Sequence, residues 1–231
     1  MALTQLCKCL RALEDTAALT HEKRWQKIAG DLEPLLHCYA LVERLQRNTS
    51  PELLDKLADP LAALMLEPQE LAQKRFDSDK WRRLRGWWRG FLDTLESGPA
   101  GENSEGNLAK AVHRLFKYRD RVCKENSQKS WHKLRQATIQ LEEQLRREEP
   151  ALTDQQDGLL QACQALNESL STWYWLQAQI PLIKSLRKSP QVQDGNKVMA
   201  LLDRQLDLIN AECHILLEDC RESLAGLNSN V

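Results

Sequence analysis

The sequence predicts an all-α protein, and three observations carry that prediction. Among its 231 residues Leu, Ala, Gln, Glu, Lys and Arg dominate, while Gly (9), Pro (8), Tyr (3) and Phe (3) are scarce, a composition that suits helix and starves strands. Apolar residues recur every three or four positions rather than every two. Cap and turn residues interrupt these runs at helix-length intervals, as at Asn48-Thr49-Ser50-Pro51, Asn126-Ser127 and Pro150. Eight or nine helices are expected, forming two antiparallel bundles of about four helices each, packed around a central groove. A chain of this length can bury a sizeable core.

Leu3, Leu6, Leu10 and Leu13 form one stripe and predict a first helix over 3–17. A second runs over 21–47, with Trp25, Ile28, Leu32, Leu35, Leu36, Tyr39, Val42 and Leu45 inward and Pro34 as the site of a kink. Ser50 as N-cap and Pro51 in the first turn open a third helix towards Met65. Pro60 should kink or break it, and Pro68 marks the next boundary. A long helix or helix pair follows over 69–96, interrupted at Asp77-Ser78-Asp79, with Trp81, Leu84, Trp88, Phe91 and Leu95 on a core face. The Gly-containing segment 97–106 is the natural divide. The chain is thus expected to be a single domain over 1–231, its halves 1–97 and 107–231 joined by a flexible loop, 98–106.

The second half opens with a helix over 107–126 that turns Leu108, Ala111, Leu115, Tyr118 and Val122 inward. Ser127 or Ser130 caps the next helix, which carries Trp131, Leu134, Thr138, Leu141 and Leu145 and ends at Pro150. Thr153 or Asp154 opens a helix over 155–187, with Leu159, Cys163, Leu166, Leu170, Trp173, Leu176 and Ile180 inward and Pro181 as the place for a bend. A loop over 189–196 leads to a last helix over 197–224.

Charge is segregated along the chain. The formal net charge is −1, yet residues 74–135 hold sixteen Lys/Arg against eight Asp/Glu. Segregation of this kind produces a positive surface that attracts polyanions without making the whole molecule basic. Within it Lys110, Arg114, Lys117, Arg121 and Lys124 follow one another at intervals of four and three, a one-sided ridge along a helix.

Other function classes are disfavoured. No apolar run approaches the eighteen or so residues of a membrane span, and the start, MALTQLCKCLRALED, puts acids where a signal peptide needs an uncharged core. The expectation is a cytoplasmic protein with no membrane insertion. Seven cysteines without a CxxC pair predict neither a metal site nor a disulfide framework. There is no Gly-rich phosphate loop, no H-E-x-x-H and no G-x-S-x-G, so no catalytic residue and no cofactor is expected.

His21-Glu22-Lys23-Arg24 and His132-Lys133-Leu134-Arg135 both place His-x-x-Arg near the start of a long helix. In this the chain resembles the CHAD domain, a helical domain of two four-helix halves, each carrying such a motif. The segment from Leu160 through Asn167 to Trp173 and Trp175, and the basic helix over 107–126, also resemble stretches of that family. The resemblance implies binding of inorganic polyphosphate in a basic groove. The groove cations would be His21, Lys23, Arg24, Lys27, His132, Lys133 and Arg135, reinforced by Lys110, Arg114, Lys117 and Arg121.

The motifs also depart from the family. Basic residues are wanted seven, eight and ten positions past each histidine; here those positions hold Ile28, Ala29 and Asp31, and Ile139, Gln140 and Glu142. Two alternatives therefore stand beside polyphosphate binding: a helical scaffold for a protein partner that has lost anion binding, and nucleic-acid binding by the basic ridge.

Overall fold

Where the helices end is decided by short-range hydrogen bonding. In the computed structural model, which describes residues 23–79, 82–83, 104–147, 152–193 and 195–227, seven helices are delimited: α1 (Lys23–Asn48), α2 (Pro51–Phe76), α3 (Ser104–Glu125), α4 (Gln128–Arg147), α5 (Asp154–Arg187), α6 (Pro190–Gln193) and α7 (Asn196–Gly226). No strand occurs among the described residues. The all-α expectation is met there. The predicted first helix and the aromatic face from Trp81 to Leu95 lie outside them.

Both alternatives for capping are decided by reciprocal hydrogen bonds. Ser127 caps α4: its Oγ accepts from the Ser130 backbone N–H at 3.2 Å, and Ser130 Oγ accepts from the Ser127 N–H at 3.1 Å. Thr153 caps α5, with Oγ1 accepting from the Gln156 N–H at 3.3 Å and Gln156 Oε1 accepting from the Thr153 N–H at 2.9 Å. At α2, Ser50 is extended (φ −66°, ψ 149°) and Pro51 occupies the first turn, as read, although the Ser50 side chain makes no capping bond.

Prolines inside the helices did not act as boundaries. Helix α2 continues through Pro60 and Pro68 to Phe76, where the expectation was a kink or break followed by a boundary. A mid-helix proline forfeits one backbone hydrogen bond. Here Pro60 is itself buried beside Leu57 and Leu61, so the packing that the ring contributes offsets that loss. Pro34 and Pro181 also lie inside helices, both on exposed faces. Two loop expectations are corrected as well. Helix α3 begins at Ser104, inside the predicted loop 98–106, and the loop 189–196 contains the one-turn α6, which buries Val192.

The chain divides into two compact units, residues 1–99 with 178–207 and residues 100–177 with 208–231. The expected halves, 1–97 and 107–231, differ in segment 178–207, which goes with the first unit. The reason lies in helix length. Helix α5 has 34 residues and α7 has 31, nearly three times the mean of about 11–12, so each outlasts one set of partners.

In the first unit α1 and α2 form a hairpin across Thr49 and Ser50. Leu32, Leu35, Leu36, Tyr39 and Leu45 are buried on α1, joined by Cys38 and Leu41, which the periodicity did not single out. Arg75 of α2 pairs with Asp31 of α1, Arg187 pairs with Asp203 at 2.8 Å, and Arg44 donates to Gln205 at 3.3 Å.

In the second unit α3 and α4 form a second hairpin, turned at Asn126, whose φ of 41° is in the left-handed region that asparagine tolerates. Asn126 Oδ1 accepts from Trp131 Nε1 at 2.9 Å and from Arg221 of α7 at 2.8 Å. One turn residue thus ties together the hairpin and the last helix. Trp131, 1% exposed, also meets Trp173 of α5 with ring centroids 6.3 Å apart. Leu115, Leu134, Leu141, Leu145, Leu166 and Leu170 complete this core, all fully buried.

Candidate functional site

The second unit contains most of the predicted cations, and it distributes them over two different surfaces. Helix α3 is amphipathic in a specific way: Ala111, Leu115 and Val122 are buried, and Lys110, Arg114, Lys117 and Lys124 are exposed along an adjacent stripe. From Lys110 to Lys124 the stripe covers about 21 Å of helix. Arg114 donates to Gln140 of α4 at 2.7 Å, which fixes the stripe beside that helix. Lys133 of α4 extends it, its ammonium 5.9 Å from the centre of the Tyr118 ring. Helices α3 and α4 together, residues 104–147, hold eleven Lys/Arg against five Asp/Glu.

Acids on α3 remove part of this charge locally. Arg121 is bonded to Glu125 at 2.9 Å, which raises the guanidinium pKa and neutralises the pair as seen from a distance. Arg119 is bonded to Asp120 at 2.6 Å and its guanidinium carbon lies 4.7 Å from the Phe116 ring centre. Among the described residues no acid pairs with Lys110, Lys117 or Lys124.

His132 and Arg135 lie on the other side of α4, against α5. The His132 and Tyr174 rings are 5.2 Å apart, and the Arg135 guanidinium lies 4.6 Å from the same ring. Arg135 is only 7% exposed, an unusual position for a charge and one that requires compensation. A continuous relay supplies it. Arg135 Nε donates to Ser171 Oγ at 3.2 Å, Ser171 Oγ donates to Asn167 Oδ1 at 3.2 Å, and Asn167 Nδ2 donates to Glu142 at 3.0 Å. Arg146 closes the relay on the other oxygen of Glu142 at 2.8 Å. The positive end and the negative end are thus joined through two neutral side chains.

This assigns a role to the acid that departs from the family pattern. Glu142 stands ten positions past His132, and it ties α4 to α5. Asp31 stands ten positions past His21, and it ties α1 to α2 through Arg75. In both motifs the position expected to face an anion is used for helix pairing instead. Of the first motif, His21 lies outside the described residues, and Lys23, Arg24 and Lys27 belong to the first turns of α1.

Ser171, Asn167, Tyr174 and Asn126 were not foreseen as polar-network residues. Nothing in their spacing marks them, because each has a partner between 25 and 95 positions away. The sequence signal was limited to Ser171 and Asn167 being polar, four apart, on a helix otherwise rich in leucine.

Thiol chemistry is restrained by burial. Cys163 is pushed up to about 12 by desolvation, with the charge of Glu142 adding to it; burial also holds Cys220 at about 12 and Cys38 at about 11. These are neutral at physiological pH and poor nucleophiles. Cys123 is exposed. No group of three or more His, Cys, Asp or Glu side chains among the described residues is arranged to hold a metal ion, and none of the described helices is long and apolar enough to cross a membrane.

No family model, no curated protein and no solved structure matches this chain.

Proposed function

We propose that this protein binds a phosphate polyanion, inorganic polyphosphate before nucleic acid, along the α3 stripe and Lys133, and that it does so without catalysis. The observation that carries this reading is the row of Lys110, Arg114, Lys117 and Lys124, exposed on one helix face. A flexible polyanion laid along such a row gains by counterion release, and Arg114 adds bidentate donors suited to phosphate oxygens.

The preference for polyphosphate over nucleic acid rests on the aromatics. Sequence-tolerant binding of single strands uses exposed rings as stacking platforms. The rings nearest the stripe, Tyr118 and Phe116, are half-buried and each is covered by a cation, Lys133 and Arg119. The resemblance to the CHAD domain supports the same ligand class, with the binding face moved. Of the two residues that the resemblance assigns to the groove, Arg135 is engaged in the α4/α5 relay and His132 lies against the Tyr174 ring of α5. The ligand would therefore contact α3 more than the His-x-x-Arg motif.

The test is affinity for long-chain polyphosphate, measured by gel shift or calorimetry at about 50 and about 200 mM salt. The expected result is binding at low salt that weakens at least ten-fold at high salt, and weakens comparably in the triple variant Lys110→Gln, Arg114→Gln, Lys117→Gln. Unchanged affinity in that variant overturns the reading. Displacement of polyphosphate by a lower concentration of single-stranded oligonucleotide reassigns the ligand to nucleic acid.

A further inference from the structure

Helix α7 carries a second pattern that anion binding does not use. Along its solvent face Lys197, Leu201, Arg204, Leu208, Ala211, Ile215, Glu218 and Glu222 follow at alternating intervals of four and three, the repeat of a two-helix seam. The middle of this seam is apolar and in water. Leu208 is 40% and Ile215 60% exposed, with exposed Ala211 between them.

On this face the charges at the two ends are opposite: Lys197 and Arg204 towards the N-terminus, Glu218 and Glu222 towards the C-terminus, all exposed, with Glu218 also paired to Arg221 of the same helix. This order opposes the helix's own dipole, which favours acids at the N-terminus and bases at the C-terminus. Helix α7 has no acid in its first turn and no base in its last. Helix α5, of similar length, follows the dipole, with Asp154 and Asp157 in its first turn and Lys184 and Arg187 in its last. The inverted order on α7 is unfavourable within one helix and favourable between two antiparallel ones.

We propose that α7 is the dimerisation surface for a second copy of this chain, packed antiparallel about a two-fold axis at Ala211. Reversing the sequence about position 211 sets Leu208 against Ile215 of the other copy, within one residue, and Arg204 against Glu218. Lys197 then faces the turn that holds Glu222. A single patch is complementary to itself, which is the requirement of a two-fold interface. The small side chain at the axis lets the two backbones approach, and both large apolar residues leave water at once. A parallel pairing would instead set Arg204 against Arg204 and Glu218 against Glu218, and an unrelated partner would have no reason to match this symmetry.

The experiment is analytical ultracentrifugation of the full chain across a hundred-fold range of concentration, with folding followed by circular dichroism. A monomer–dimer equilibrium is expected. Arg204→Glu alone and Glu218→Arg alone should each weaken the dimer at least ten-fold, and the two together in one chain should restore most of it. Ile215→Glu should leave a monomer. In a Cys123→Ser background, Ala211→Cys should cross-link to itself under mild oxidation faster than the parent does. A chain monomeric at every concentration overturns the proposal. So does a dimer indifferent to Ile215→Glu, or one that the charge swap fails to rescue, since either would lie elsewhere or run parallel.

Discussion

Helix α4 has two basic sides, and they use charge in opposite ways. On the side towards α5, Arg135 is nearly sealed from water and held by Tyr174, Ser171 and, through Asn167, by Glu142. On the side towards α3, Lys133 adjoins a stripe of cations that remain at the surface. The residue types are the same, and only their neighbours differ. A cation held inside the fold by a ring and a hydrogen-bond relay offers little to a ligand, whereas a solvated one contributes little to stability and keeps its long-range attraction. Matching a motif by residue type therefore does not establish that its charge is available.

The largest expected effect separates the core from both sides. Trp131→Ala should destabilise the protein by about 3–5 kcal/mol in chemical denaturation, because it removes a buried aromatic that meets Trp173, Asn126 and Arg221. A loss below about 1 kcal/mol would mean that the second unit does not depend on this anchor.

Next come the two sides themselves. Arg135→Ala should cost about 1.5–3 kcal/mol, the range for hydrogen bonds to charged groups, while changing polyphosphate affinity less than two-fold. Lys110→Gln with Lys117→Gln should do the reverse: a stability change within about 0.5 kcal/mol and a clear loss of affinity. If Arg135→Ala abolishes binding in a folded protein, the contrast between the sides is wrong and the relay is part of the ligand site.

Removing the α5 cap is a smaller test of whether the relay depends on local helix stability. Thr153→Ala should cost about 0.5–2 kcal/mol, measured by thermal unfolding, and leave binding unaffected. An unchanged melting temperature would show that the reciprocal bonds with Gln156 contribute nothing in solution.

The smallest effect concerns pH and the thiol beside Glu142. Burial, then the Glu142 charge, raise the folded pKa of Cys163 from 9.0 to about 12. The neutral thiol is the favoured folded form, so its contribution is complete below about pH 9 and is lost as pH rises towards 12. The stability difference between the native chain and Cys163→Ala should accordingly narrow between pH 8 and pH 11. A difference that widens would contradict the burial. Alkylation at pH 8 read by mass spectrometry should modify Cys123 in the native state and Cys163 only after unfolding.

Local rules were enough for much of the architecture. Helix content, the cap sites narrowed to Ser127 or Ser130 and to Thr153 or Asp154, and the inward faces of α3 and α4 follow from periodicity and side-chain chemistry within four residues. Prediction went astray at Pro68, where a boundary was expected and α2 runs on, and where partners are far apart in sequence, as for Asn126 with Arg221 across 95 positions.

What the sequence determined by itself was the class of fold and the positive stretch, because both depend on composition and on spacings of three and four. Only tertiary structure decided which cations remain at the surface. Whether an arginine meets water or a serine on another helix depends on packing between segments distant in sequence, and a His-x-x-Arg string carries no information about that environment.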